Sequence, residues 1–99
     1  MLYAIIGRDG PGGADGRAGA RAAHLDRLQV LAEAGRLVIA GPFPAADSED
    51  IAATGVTGSL IVADFDSLEA ASAWADADPY QAAGVYESVD VRPYLQVLP

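Results

Sequence analysis

Cysteine and lysine are both missing from this chain of 99 residues, and histidine occurs once, at position 24. Without cysteine there is no disulfide, no thiolate nucleophile and no zinc site built on sulfur. Without lysine there is neither a Schiff-base amine nor the lysine of a phosphate-binding loop. A lone imidazole makes a buried transition-metal site an unfavourable expectation, so no metal is assigned. No apolar run approaches the roughly 20 residues that cross a bilayer, and the first residues lack the basic start of a signal peptide. The expectation is a soluble, cytoplasmic protein with no membrane partner. Fourteen acidic residues against six arginines give a net charge of −8. That charge repels a phosphate backbone, and no two arginines adjoin, so nucleic acid is not an expected partner. The chemical inventory is therefore His24, the carboxylates, the hydroxyls and the arginines.

The length suits one domain over residues 1–99, burying roughly two-thirds of its unfolded surface. Leu2 to Gly7, apolar with β-branched isoleucines and closed by glycine, predicts a first strand. The glycine-rich stretch Asp9 to Gly16 matches neither a dinucleotide fingerprint nor a phosphate loop and is expected to be a flexible connector. A helix is predicted from Arg17 to Ala34, with Gly35 as its C-terminal cap. A second strand, Leu37 to Ala40, is expected to stop at Gly41-Pro42-Phe43-Pro44, because proline supplies no ladder donor. A polar loop over Asp47 to Thr57 follows. The third strand, Gly58 to Phe65, puts Ser59, Ile61, Ala63 and Phe65 on one face and Leu60, Val62 and Asp64 on the other. Both faces are mainly apolar, so both should be covered. Asp66 with Glu69 reads as a capping box for a second helix, whose core stripe is Leu68, Ala71, Trp74 and Ala75. Asp78-Pro79 breaks it, and Tyr86 to Val97 is the last strand, irregular at Pro93.

The order β-α-β-β-α-β predicts a ferredoxin-like α+β fold, a four-stranded antiparallel sheet with two helices on one face. The other face lacks a cover. A second copy of the chain, placed sheet to sheet by a two-fold axis, is the expected cover, making a homodimer.

At about 100° per residue, Arg17, Arg21, His24, Leu28, Leu31 and Ala32 project within roughly a third of the first helix's circumference, while Asp26, Gln29 and Glu33 point elsewhere. Burying such nitrogen-bearing groups without partners costs about 1 to 3 kcal/mol each. The stripe should therefore meet acidic partners or line a wet pocket. Asp78 is the candidate acid for His24, four residues after Trp74 on the inward stripe of the second helix. Asp-Pro-Tyr is equally the pattern of an N-cap with proline at N1, opening a short turn that Gly84 ends. The two roles are compatible because a carboxylate has two oxygens. A paired Asp78 fixes the tautomer of His24 and leaves the other ring nitrogen to act as a general base.

Ser59, beside Gly58, is placed either to hydrogen-bond a substrate oxygen or simply to open a strand. Neither a nucleophile elbow nor a clear oxyanion hole surrounds it. Arg17 and Arg21, one turn apart, either grip a carboxylate or phenolate bidentately or pair with the surplus acids. Tyr80, next to Asp78, is a candidate pocket wall.

As a set, Arg17, Arg21 and His24-Leu25, then Ala40-Gly41-Pro42, Thr57-Gly58-Ser59, Trp74 with Asp78-Pro79-Tyr80, and Ala82-Ala83-Gly84-Val85-Tyr86 resemble the YciI-like (YCII-related) family. The likeness runs through essentially the whole chain. It implies a ferredoxin-like fold dimerising into a shared α/β barrel, with a histidine and an aspartate as the active site. Those roles fall on His24 and Asp78, with Ser59 and the arginines as neighbours and Gly41 and Pro42 on the substrate side. The family is similar in architecture to cofactor-free isomerases, dehalogenating enzymes and monooxygenases, a likeness of fold that names no reaction. The departure is the stretch from Asp9 to Gly16, richer in glycine than the family pattern.

The leading expectation is a cofactor-independent enzyme. In it His24, oriented by Asp78, moves a proton on a small anionic or aromatic molecule by elimination, isomerisation or hydrolysis. One alternative is a non-catalytic ligand-binding or accessory module using the same pocket. Another is a dimer in which His24 is only a satisfied core group.

Overall fold

A computed structural model describes residues 1–99. The elements run β1 (Leu2–Asp9), α1 (Gly13–Glu33), β2 (Leu37–Pro44), α2 (Ile51–Thr54), β3 (Val56–Asp64), α3 (Leu68–Asp76), α4 (Pro79–Ala82) and β4 (Tyr86–Tyr94). The strands pair antiparallel in the order β2-β3-β1-β4. This is the ferredoxin-like arrangement, with the first strand of each half at the centre of the sheet. Tyr3, Ile5, Ile61 and Ala63 on one sheet face, with Phe65 just beyond β3, pack against Leu28 and Leu31 of α1 and Ala71 and Ala75 of α3. The inward set expected for the third strand, Ser59, Ile61, Ala63 and Phe65, is buried throughout.

Several boundaries differ from the sequence expectation, each for a local reason. α1 begins at Gly13, so the glycine-rich stretch is no flexible connector. Gly12 takes φ 80° at the N-cap, where a side chain would be strained. Gly16 lies inside the helix, where a Cβ would stand 2.7 Å from the Ala83 carbonyl oxygen and 2.9 Å from a Val85 methyl. Its role is close approach of α1 to the turn between α4 and β4. β2 continues through Gly41-Pro42-Phe43-Pro44 because it is an edge strand, where a proline nitrogen facing outward costs no ladder bond.

The expected polar loop holds α2, whose N-cap Asp50 accepts a hydrogen bond from the Ala53 amide at 3.3 Å. β3 accordingly starts at Val56. Ser67 rather than Asp66 caps α3, its hydroxyl accepting from the Ala70 amide at 3.0 Å. α3 ends at Asp76, so Asp78 is not on its inward stripe but caps α4. β4 stops at Tyr94, three residues short of Val97. Ala32 and Arg21 are exposed, which narrows the buried stripe of α1 to Gly13, His24, Leu28 and Leu31. No helix is long and apolar enough to cross a membrane.

Candidate active site

Leu28 and Leu31 seat α1 on the core, and that seating carries His24, one turn earlier, to 6% exposure. The turn between α3 and α4 delivers Asp78, which is 4% exposed, from 54 positions away. Pro79 at N1 fixes the backbone of that turn, and one Asp78 oxygen, Oδ1, accepts from the Tyr80 amide at 2.9 Å. The His24 Nδ1 lies 2.8 Å from Oδ2 and 2.9 Å from Oδ1. Asp78 is thus both cap and partner.

An ionised carboxylate only accepts, so Nδ1 carries the ring hydrogen and, in the neutral ring, Nε2 presents a lone pair. No protein group hydrogen-bonds Nε2, and His24 lines a cavity of about 300 Å3. The Tyr80 ring stacks on the imidazole with centroids 3.9 Å apart and planes 12° from parallel. The imidazole is thereby held on its edge by Asp78 and on its face by Tyr80.

Arg17 organises the neighbouring wall. Its Nε and Nη2 donate to the two Asp9 oxygens at 2.7 and 2.8 Å, and Nη2 also donates to the Ser59 hydroxyl at 2.8 Å. Of the two readings of Arg17, a grip on a ligand or pairing with a surplus acid, the structure shows the second, with Asp9 filling the fork. Ser59 accepts from Arg17, and its hydroxyl also interacts with the Tyr86 phenol. The guanidinium carbon stands 5.1 Å from the Tyr80 ring centroid and 5.8 Å from that of Tyr86. Burial works against the charge of Arg17, but bonding to Asp9 outweighs it and raises its pKa. Burial also pushes the Tyr80 and Tyr86 phenols above their ordinary value, against the opposing pull of Arg17 on both. Both phenols therefore stay protonated through neutral pH.

Arg21, Gly41, Pro42 and Tyr80 all line the cavity with His24 and Ser59, and Leu25, Leu28, Ile51, Val56 and Ile61 complete its apolar side. Two contributors escaped the sequence reading. Asp9 sits at the end of β1 rather than in a loop, and nothing local marks it as the partner of Arg17. Arg27 donates from Nη2 to the Trp74 carbonyl at 2.8 Å and stacks 4.2 Å above the Trp74 ring. That bond ties the last turn of α3, and with it the approach to Asp78, to α1. Burial lowers the pKa of Arg27 while Asp78 opposes the shift, which places the two charges in each other's field. The available signal was its spacing, three residues after His24 on one helix face.

A ferredoxin-like α+β protein with a buried histidine–aspartate pair opening on a small cavity is the class that this fold and site define. Residues 1–95 match the YCII-related domain, and the chain belongs to that family. It is 57% identical over 97 residues to the protein YciI of Escherichia coli and to that of Shigella flexneri, spanning 98% of this chain and 99% of each relative. An uncharacterized protein of Haemophilus influenzae is 44% identical over the same length. Among solved structures, the 5-chloro-2-hydroxyhydroquinone dehydrochlorinase of Burkholderia phenoliruptrix, in complex with 2,5-dihydroxybenzoquinone, has a TM-score of 0.84 and 26% identity. The match covers 96% of this chain and 94% of that one.

Proposed function

We propose that this protein is an enzyme that moves a proton on a small ring compound, with Nε2 of His24 as general base and Asp78 holding the tautomer. The observation that carries this reading is the buried 2.8 Å contact between Nδ1 and Asp78, with Nε2 left without a protein partner on a 300 Å3 cavity. Elimination is the favoured reaction. Loss of H–X from a hydroxylated ring takes a proton to a base, sends its electron pair into the ring and releases X⁻. Such a step needs no external electron carrier, so proton transfer alone is asked of the site. In this reading the Ser59 hydroxyl, which lines the same cavity, donates to a substrate oxygen. The dehydrochlorinase neighbour, by its name, removes hydrogen and chloride from a hydroxylated hydroquinone. General acid–base groups contribute about 10²- to 10⁴-fold.

Halogenated hydroquinones and trihydroxybenzenes should be screened for halide release and quinone absorbance. His24→Gln is expected to lose two to four powers of ten in kcat/KM while keeping its circular dichroism. Undiminished turnover in that variant overturns the reading, and tight binding without halide release would make the site a recognition module.

We also propose that two copies associate through the outer sheet face. Ala4, Ile6, Leu60 and Val62 line it, and no helix covers them; Val38, Ile39, Tyr94 and Leu98 bound the same hollow of about 640 Å3. Leu95, Val97 and Leu98 beside it are 79%, 82% and 78% exposed. Asp90 and Arg92, two residues apart on the same strand face, are self-complementary across a two-fold axis. Light scattering should give twice the 10.1 kDa chain mass. A monomer mass at micromolar concentration overturns this.

A further inference from the structure

The charges around the cavity do not cancel, and the remainder is one arginine. Asp9 is matched by Arg17, at 2.7 and 2.8 Å. Asp78, behind the imidazole, has Arg27 in its field. Arg21 has neither a hydrogen bond nor an ion pair to any protein group, although it lines the same cavity. Its neighbours three and four positions away on α1 are Arg17, Ala18, His24 and Leu25, none of them acidic. Arg8 and Arg92 are likewise unpaired but lie away from this cavity, and Arg17, which lines it, is held by Asp9. Arg21 is thus the one arginine that brings an unpaired charge to it. No carboxylate lines the cavity either. The Tyr80 phenol, which stacks on His24, also lies in the field of Arg21.

We infer that the cavity binds its substrate as an anion and that Arg21 recognises the charge. This rests on the proposed reading of His24 as the reacting end. The chemistry recognised is an ionised oxygen on a flat ring, whether carboxylate, phenolate or enolate. At about 300 Å3 the cavity is at the lower end of ligand pockets, which suits one ring with its substituents. His24 and Arg21 are three residues apart on one helix face, about 5 to 6 Å between Cβ atoms. A single ring spans that interval, with its anionic group at Arg21 and its reacting proton at Nε2. The apolar residues opposite accept the ring body, and the rim position of Arg21 lets it meet the anion before desolvation.

Benzoate and benzamide, matched in shape and different in charge, are the probes, and the ring-proton NMR signals of the one histidine report their binding. Wild type should bind benzoate about tenfold more tightly than benzamide, the scale of one hydrogen bond to a charged group. Arg21→Gln should abolish that preference and leave benzamide binding unchanged, while Arg21→Lys should keep most of it. Added salt should weaken benzoate alone. The inference is overturned by equal affinities in wild type, by a preference that survives in Arg21→Gln, or by failure of both probes to shift His24. Equilibrium binding needs no turnover. An active His24→Gln enzyme would therefore defeat the proton-transfer reading and leave the benzoate preference standing. Equal affinities with His24-dependent turnover would do the reverse.

Discussion

Asp78→Asn is expected to lower turnover by two to four powers of ten while leaving the fold nearly as stable as wild type. Asparagine caps a helix as well as aspartate, so the Tyr80 amide keeps an acceptor. What changes is the other contact. An amide can offer an N–H to Nδ1 of His24, where the carboxylate could only accept. The imidazole then carries its hydrogen on Nε2, facing the cavity, and cannot take a proton from substrate. The same exchange in the serine-protease triad costs about 10⁴ in kcat through the wrong tautomer.

Long-range proton–nitrogen NMR can read this without any substrate, because the chain has one imidazole. Wild type should show hydrogen on Nδ1 and the variant hydrogen on Nε2. Asp78→Ala loses the cap, about 1 kcal/mol, and leaves a buried imidazole without its acceptor, about 1 to 3 kcal/mol more. A denaturation midpoint for Asn as low as that for Ala would show that charge, not capping geometry, holds this turn. Wild-type activity in Asp78→Asn would remove Asp78 from the mechanism.

Gly58→Ala should be the most damaging single-methyl change in the sheet, at about 3 kcal/mol or more. A Cβ at Gly58 would fall inside contact distance of the Gly7 carbonyl oxygen and 3.3 Å from the Phe43 ring. The obstructing atom is backbone in the neighbouring central strand, so no rotamer change relieves it. β1 and β3 must part where Gly7 pairs with Ser59. Gly7 itself lies under Tyr86, whose ring would come within 2.5 Å of a Cβ there. Parting the strands therefore displaces Ser59 from Arg17 and Tyr86 from its seat. Urea unfolding measures the loss, with Ser59→Ala as a control that removes the hydroxyl without spreading the strands. A change below about 0.5 kcal/mol for Gly58→Ala, the scale of an ordinary surface substitution, would refute the close-approach argument.

The sheet order was legible because alternation in the third strand and the two helix patterns leave few ways to pair four short strands. His24 was legible from its place on an apolar stripe, but Asp78 was matched to it from an inward helix position that it does not occupy, since α3 ends at Asp76. The capping motif, weighed as the alternative, is what sets the carboxylate against the imidazole. The glycines of residues 10 to 16 were not, because freedom and close approach leave the same mark in a sequence. Only the position of Ala83 and Val85 decides between them. Pro42 and Pro44 look like strand terminators until β2 is known to be an edge. The partner of Arg17 was one of fourteen carboxylates, and choosing Asp9 required the end of β1 to meet the start of α1.

His24 and Asp78 come from opposite halves of the chain, α1 and the turn before α4, 54 positions apart. A fragment or a half-folded intermediate therefore has no site at all, and occupancy of the cavity is coupled to the global folding equilibrium rather than to a local one. A ligand present at about 100 times its Kd adds about 2.7 kcal/mol to that equilibrium. In a domain of this length such a gain moves the melting temperature by roughly ten degrees or more. Thermal shift on the intact chain thus turns a library of acidic ring compounds into a direct assay for what this cavity accepts.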